Sequence, residues 1–194
     1  MRLCVLRSSR EYTPAHVQWL ARQVPELVVL SDVDVPGVER IPLQHDWPGW
    51  WAKMEMFRPD IPGDVLYLDL DTVVLGDLAQ FEGHADSHGV SDFYHHKPLQ
   101  SCFMWLTESD RARVWEYWMR DPAGHMRRAV TRECWGDQGI IGEALPDIKR
   151  WGPEVVSYKV HCRQRGLPPP GASVVCFHGQ PRPWGVKHPW ILTC

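Results

Sequence analysis

An apolar run that ends in two acidic residues constrains the fold of this chain more than any other feature. In the segment GDVLYLDLDTVVLGDL, residues 63–78, the run Val65–Leu68 leads directly into Asp69 and Asp71. A short continuous apolar run is typical of a strand that is covered on both faces of a sheet. Ligands of such sheets bind outside the carboxyl ends of the strands. The sequence therefore predicts a ligand site at the two aspartates.

Strand and helix patterns alternate along the rest of the chain. Apolar runs predict strands at residues 3–6, 27–30, 39–43, 65–68, 101–106 and 173–177. Helical spacing predicts helices at residues 14–24, 109–120 and 137–145, and a loop that enters a helix at 47–57. This alternation predicts an α/β fold with a mixed, mainly parallel sheet. Because 194 residues suffice for one sizeable core, we expect a single domain over 1–194.

Composition excludes several classes of protein. The net charge of −3 gives no general footprint for nucleic acid or for an anionic membrane. We expect no transmembrane segment, because no run approaches the length of a membrane span, and no signal peptide, because the first residues are too polar. The cysteines form no CxxC pair, which predicts reduced thiols and a cytoplasmic protein. They are Cys4, Cys102, Cys134, Cys162, Cys176 and Cys194.

The spacing of Asp69 and Asp71 indicates a chemistry. Side chains two positions apart on a strand point to the same side, so the two carboxylates are expected to converge. Carboxylates that close repel each other unless a cation lies between them. Hard oxygen ligands of this kind suit Mg²⁺ or Mn²⁺, which commonly bridge to phosphates. The alternative is a structural pair that caps a turn or a helix at the end of the strand.

Two enzyme families match the stretch DLDTV locally. Haloacid-dehalogenase phosphatases place DxDx(T/V) after a strand, which would make Asp69 a phosphoryl-accepting nucleophile and Asp71 a general acid. Nucleotide-sugar glycosyltransferases of the GT-A fold place DxD after a strand, and there the carboxylates hold a metal. The phosphatase nucleophile normally lies close to the N-terminus, whereas two or three predicted strands precede Asp69 here.

The other landmarks favour the second family. The chain resembles the family 8 glycosyltransferases, the glycogenin and galactosyltransferase-like group, in five features that occur in the family's order. They are SSREY (8–12), Lys53 ahead of the DxD strand, QSCFMWL (100–106), GDQGII (136–141) and FHGQPRPW (177–184). The resemblance implies a GT-A-type, Rossmann-like three-layer sandwich that transfers a sugar from a nucleotide-diphospho sugar, with UDP favoured, and with retention at the anomeric carbon.

The resemblance also assigns a metal and a leaving-group site. Asp69 and Asp71 would hold Mn²⁺ or Mg²⁺. Cys176 stands where the family has a metal-binding His, and His178 lies two residues on, on the same face of an extended strand, so His178 is favoured as the third ligand and Cys176 is the alternative. Arg182 replaces the usual Lys and would pair with the departing phosphate through a bidentate fork.

The remaining assignments concern the donor and the sugar. Asp137 would contact the donor or acceptor sugar, and Gln138 would lie near the anomeric carbon. The further donor-binding positions are Ser8, Tyr12, Lys53, Ser101 and Gly179. The acceptor stays open among a glycan, a lipid-linked sugar, a protein and a modified nucleobase. Since QSC replaces the family's NSG, a domain that binds nucleotide sugar or glycan without turnover is a further alternative.

Overall fold

The computed structural model describes residues 1–193, and Cys194 lies outside the described residues. A larger sheet contains the strands β1 (Arg2–Leu6), β2 (Leu27–Ser31), β3 (Glu39–Pro42), β4 (Val65–Leu68), β6 (His88–Ser91), β7 (Leu99–Leu106) and β8 (Lys149–Arg150). A smaller sheet contains β5 (Thr72–Val74), β9 (Val155–Ser157) and β10 (Val174–Cys176). The α-helices are α1 (Pro14–Ala21), α2 (Glu108–Met119), α3 (Pro122–Arg128) and α4 (Gly136–Ala144).

The larger sheet is mixed and mainly parallel, as predicted. Its strand order is β3-β2-β1-β4-β7-β6-β8. Only β7 is antiparallel to its neighbours, β4 and β6, and the other pairs of this sheet are parallel. Parallel neighbours place their carboxyl ends at one edge, so β1, β2 and β4 end together on the side where a ligand is expected.

Strand β4 is apolar along its whole length because both of its faces are covered. Leu66 and Leu68 belong to a core that also contains residues of α1 and of the smaller sheet. Val65 and Tyr67 point to the opposite face and belong to a second core with residues of α2 and α4. The predicted three-layer α/β arrangement is therefore confirmed.

The smaller sheet explains why apolar residues resume after Asp71. β4 ends at Leu68 in the larger sheet, and β5 begins at Thr72 in the smaller one, where it pairs with β10. Asp69 and Asp71 therefore flank a turn between two sheets, closed by a hydrogen bond of 3.1 Å from the Thr72 N–H to the Asp69 carbonyl. The expectation that both aspartates extend a single strand was wrong, because the chain changes sheets between them.

Local signals located some elements well and others less well. Thr13 is the N-cap of α1, which begins at the residue where the sequence predicts it, and the Thr13 N–H donates to His16 Nδ1 at 3.0 Å. The predicted helix after residue 47 is a 3₁₀ helix at Gly49–Phe57. Further 3₁₀ segments lie at Leu78–Phe81 and Pro183–Gly185, and a π-helical turn at Tyr158–Cys162.

Within residues 1–193, none of the helices combines the length and apolar character that a membrane span requires.

The 3₁₀ helix that carries Lys53 is held by buried polar contacts. Arg111 of α2 donates to the carbonyls of four residues at or after the end of this helix, Met56, Arg58, Ile61 and Gly63, at 2.6–3.0 Å. The fully buried Glu55 carboxylate accepts the N–H groups of Gln44 and His45 and the Arg58 guanidinium. Buried polar groups that are satisfied in this way rigidify the segment around them. Lys53 is thus presented from a fixed backbone.

Candidate active site

One cleft of about 740 Å³ opens at the carboxyl ends of β1 and β4. Its volume lies in the range of about 300–1,000 Å³ that is usual for ligand pockets. Every site residue nominated from the sequence lines it: Ser8, Tyr12, Lys53, Asp69, Asp71, Ser101, Asp137, Gln138, His178, Gly179 and Arg182. The fold therefore brings together residues from both ends and the middle of the chain. Cys176, in contrast, is fully buried in β10.

Two side chains donate hydrogen bonds to the carboxylate of Asp69. Lys53 Nζ lies 2.9 Å from Asp69 Oδ1, and the Tyr67 hydroxyl donates to the same oxygen at 2.6 Å. Tyr67 belongs to β4, two residues before Asp69, so its side chain reaches the carboxylate directly along the strand. The sequence analysis missed Tyr67, because a tyrosine inside an apolar run is indistinguishable from a core residue.

Lys53 joins Asp69 to Asp137. Its ammonium lies 3.1 Å from Asp137 Oδ2, and it also donates to Ser101 Oγ at 3.1 Å. Ser101 in turn donates to Asp137 at 2.6 Å, which closes a small network in the wall of the cleft. Burial alone would lower the Lys53 pKa, but the carboxylates of Asp137 and Asp69 outweigh it and raise that pKa. Lys53 therefore stays charged while it is buried.

Asp71 is paired with Arg182, whose guanidinium also binds Glu11 at 2.6 and 3.0 Å. Burial, and then the nearby charge of Asp69, raise the pKa of the Asp71 carboxyl to about 7, although Arg182 opposes the shift. Burial is the larger cause of this shift, and repulsion from Asp69 adds to it. The same guanidinium lies over the Tyr12 ring, 5.1 Å from its centroid.

His178 lines the cleft near the C-terminal segment. Its Nε2 lies 2.6 Å from Ser157 Oγ, and its ring stacks on Phe93. Burial, followed by the charge of Lys159, lowers the His178 pKa to about 4, so the imidazole is neutral at pH 7. Lys159 reaches this loop, since a Cβ at Gly179 would lie 3.3 Å from its Nζ.

The opposite end of the cleft is formed where β1 and β2 end. The Ser8 N–H and hydroxyl donate to the two carboxylate oxygens of Asp32, at 2.8 and 2.7 Å. Asp32 directly follows β2, as Asp69 follows β4. Asp32 therefore carries the same sequence signal as Asp69, an acidic residue at the carboxyl end of an apolar strand, although it was not among the predicted site residues.

Two tryptophans at the mouth of the cleft were also missed. Trp50 and Trp135 line the cleft and are 58% and 55% exposed. Trp50 lies in the 3₁₀ helix of Lys53, and Trp135 is the N-cap of α4. The chain has 11 tryptophans, and the sequence alone gives no means to separate these two from the buried ones.

The carboxylates of Asp69 and Asp71 could supply two oxygen ligands to a hard cation. Lys53 and Tyr67 both contact Oδ1 of Asp69, and Arg182 contacts Oδ2 of Asp71, so each carboxylate has a second oxygen outside these contacts. Across residues 1–193, no group of three His, Cys, Asp or Glu side chains is arranged around a possible metal position. His178 therefore does not join the two aspartates as a preformed third ligand. Asp69 and Asp71 fit a cation that takes its other ligands from a bound phosphate and water.

No protein-family model matches the chain, and no curated protein matches it in sequence. Solved structures do match. The glycosyltransferase GlyE of Streptococcus pneumoniae TIGR4 has a TM-score of 0.63 and 18% identity over 94% of this chain. The galactosyltransferase LgtC, in complex with donor and acceptor sugar analogs, has a TM-score of 0.64 and 12% identity over 95% of this chain.

A glycosyltransferase involved in the glycosylation of the major capsid of PBCV-1 also matches, with a TM-score of 0.56 and 11% identity over 90% of this chain. The chain spans 56% of the length of GlyE, 89% of LgtC and 91% of the capsid-related enzyme. The chain therefore has the fold of these glycosyltransferases.

Proposed function

We propose that the chain is a glycosyltransferase of the family 8 type. It transfers a sugar from a nucleotide-diphospho sugar, with UDP favoured, and it uses Mn²⁺ or Mg²⁺ held by Asp69 and Asp71. The observation that carries the proposal is the meeting of these two carboxylates with Lys53 and Arg182 in one cleft at the carboxyl ends of the strands. The likeness to glycosyltransferases, including one with donor and acceptor sugar analogs, supports it.

The charges in the cleft suit a departing diphosphate. The bond between the anomeric carbon and the phosphate oxygen breaks, the bond to the acceptor oxygen forms, and the acceptor proton leaves with the diphosphate. A metal bound at the aspartates would neutralise part of the phosphate charge. Arg182 lies beside Asp71, where its guanidinium is placed to pair with developing negative charge. Preorganised cations of this kind stabilise the transition state.

The two ends of the cleft suit the two parts of the donor. Ser8 and Tyr12 lie at the end of β1, where the nucleoside would bind. Asp137 and Gln138 lie beyond Lys53, where the sugar would bind. Asp137 is already held through its Oδ2 by Lys53 and Ser101, so it is fixed as a hydrogen-bond acceptor for sugar hydroxyls. Retention at the anomeric carbon rests on the sequence resemblance to family 8.

A turnover assay tests the proposal. Purified chain is incubated with a panel of nucleotide sugars in the presence of Mn²⁺ or EDTA, and release of the nucleoside diphosphate is measured. We expect release with one sugar, dependent on the metal, and proton NMR of the free or transferred sugar shows its anomeric configuration. Release of phosphate from simple phosphomonoesters, without action on any nucleotide sugar, would instead support the phosphatase alternative.

A further inference from the structure

The two exposed tryptophans at the mouth of the cleft form one local structure. Gly136 has a φ of +57°, and a Cβ there would lie 3.3 Å from Trp50 Nε1. A side chain at this position would be strained and crowded, so glycine allows the Trp50 indole to lie against the backbone next to Trp135. The Gly136 N–H is itself held by the Ala129 carbonyl at 2.9 Å. The pair is therefore presented from fixed backbone on both sides.

Both indoles leave more than half of their surface open to solvent. Trp50 and Trp135 are 58% and 55% exposed, although nine other tryptophans of the chain are available for the core. Single exposed apolar residues are ordinary, but a pair of large aromatics beside a polar cleft is a recognition feature. Gln100, Asp137 and Gln138 line the cleft next to them and offer amide and carboxylate groups.

We infer that Trp50 and Trp135 form the acceptor platform and that the acceptor is a glycan, bound through the apolar face of a hexose ring. This inference rests on the proposed transferase function. A sugar ring combines an apolar C–H face with a rim of hydroxyls. Indole faces next to the amides of Gln100 and Gln138 match both properties.

The charges nearby argue against the other occupants of the platform. Lys53 is held by Asp69 and Asp137, as Arg182 is held by Asp71 and Glu11, so neither cation is free to draw a phosphate to the indoles. The cation proposed at Asp69 and Asp71 would instead hold the donor diphosphate, and the base would lie at the end of β1 near Tyr12. A lipid or a protein surface would need a larger apolar patch than two indoles supply.

Fluorine NMR tests the platform without relying on activity. The chain is labelled with 5-fluorotryptophan, and the resonances of Trp50 and Trp135 are assigned from the Trp50→Phe and Trp135→Phe variants. Methyl glycosides of the common hexoses are titrated to about 50 mM, in the presence of UDP and Mn²⁺, which detects a Kd of about 10 mM. We expect saturable shifts of these two resonances with at least one glycoside. The absence of any such shift across the panel overturns the inference.

Variants separate the platform from the donor site. In Trp50→Ala and Trp135→Ala, we expect the acceptor KM to rise about 10- to 100-fold, with partial rescue by phenylalanine. Leu167→Ala is the matched control, since Leu167 is 60% exposed and lies away from the cleft. Loss of donor affinity in the alanine variants would assign the indoles to the donor and overturn the inference.

The two proposals fail in different ways. If wild-type chain neither binds nor hydrolyses a nucleotide sugar while the two indole resonances still respond to glycosides, the transferase function fails and the glycan site stands. If the donor is bound and hydrolysed while no glycoside shifts the resonances of the two indoles, the glycan site fails and the transferase function stands.

Discussion

Arg182 and Asp71 are 111 positions apart in the sequence and form an ion pair in the cleft. The pair joins the tail of the chain to the turn between the two sheets. It also gives Asp71 a countercharge in the absence of any ligand, while Glu11 holds the other side of the guanidinium. Even so, burial and the proximity of Asp69 dominate and raise the Asp71 pKa to about 7. Ionisation of the Asp71 carboxyl is therefore less favourable in the folded chain than in the unfolded chain.

Asp71→Asn is expected to stabilise the fold at alkaline pH. Because the folded-state pKa of Asp71, about 7, lies above the ordinary aspartate value of 3.8, the folded chain binds this proton more tightly than the unfolded chain does. Wild-type stability therefore falls as the pH rises from about 4 to about 7 through this group. The asparagine of the variant has no proton to lose, so the stability of the variant does not fall in this way. The Tm of Asp71→Asn therefore exceeds that of wild type most at pH 8, and the difference shrinks towards pH 4.

Thermal unfolding of both proteins across this pH range checks the prediction. Asp147→Asn is the control, because Asp147 is exposed and lies outside the cleft. A gain in Tm for Asp71→Asn that is the same at pH 5 and pH 8 would contradict the account of the carboxylate pair.

Lys53→Met is expected to destabilise the protein strongly. Lys53 is 8% exposed, and its removal leaves Asp69 and Asp137 without their shared cation. Breaking a buried ion pair from one side costs about 3–5 kcal/mol. Urea unfolding measures the loss, and the double variant Lys53→Met/Asp137→Asn is expected to regain part of it. Lys187→Met, at an exposed position, serves as the control, and a loss no greater than that of this control would rule out the network.

Arg182→Ala is expected to lower turnover more than donor affinity. If Arg182 stabilises charge on the departing diphosphate, its removal lowers kcat by about 10²–10³. Arg182→Lys keeps the charge but loses the fork that joins Asp71 to Glu11, so we expect an intermediate kcat. Steady-state kinetics with the donor identified by the panel measure both. Arg163→Ala, at an exposed position, is the control, and an Arg182→Ala enzyme with unchanged kcat would remove Arg182 from the mechanism.

His178→Gln is expected to reduce the acid sensitivity of the fold. The His178 pKa is lowered from 6.5 to about 4, so between these values the unfolded chain binds a proton that the folded chain does not. Wild-type stability therefore falls as the pH drops through this window, and the variant loses that part of the slope. Urea unfolding from pH 7 to pH 4 measures the slope, with His95→Gln as the control at an exposed position. Parallel slopes for wild type and His178→Gln would contradict the lowered pKa.

The sequence located the site better than it described the backbone that forms it. Apolar runs predicted the strands of the larger sheet near the site, and the motif order predicted which residues share the cleft. The meeting of Asp69 and Asp71 in one site was argued from the period of a strand, whereas the structure places both in one cleft with a turn between two sheets.

Two of the missed strands exist only through tertiary contacts. β5 and β9 have three residues each, and their bounds are set by pairing with β10 rather than by any periodic pattern. The exposure of Trp50 and Trp135 was equally hidden, because a tryptophan is more often core than surface. The left-handed backbone at Gly136, against which the Trp50 indole lies, is likewise not revealed by a sequence.

Thermal unfolding with nucleotide sugars tests the central claim most directly. Each sugar is measured with Mn²⁺ and with EDTA, on wild type and on Asp71→Asn. A ligand at about 100 times its Kd adds about 2.7 kcal/mol of stability, a shift of about 5–10 °C for a domain of this size. The account predicts such a shift with one UDP-sugar, only with Mn²⁺ and only in wild type. An equal shift in EDTA or in Asp71→Asn, or no shift with any nucleotide sugar, would contradict it.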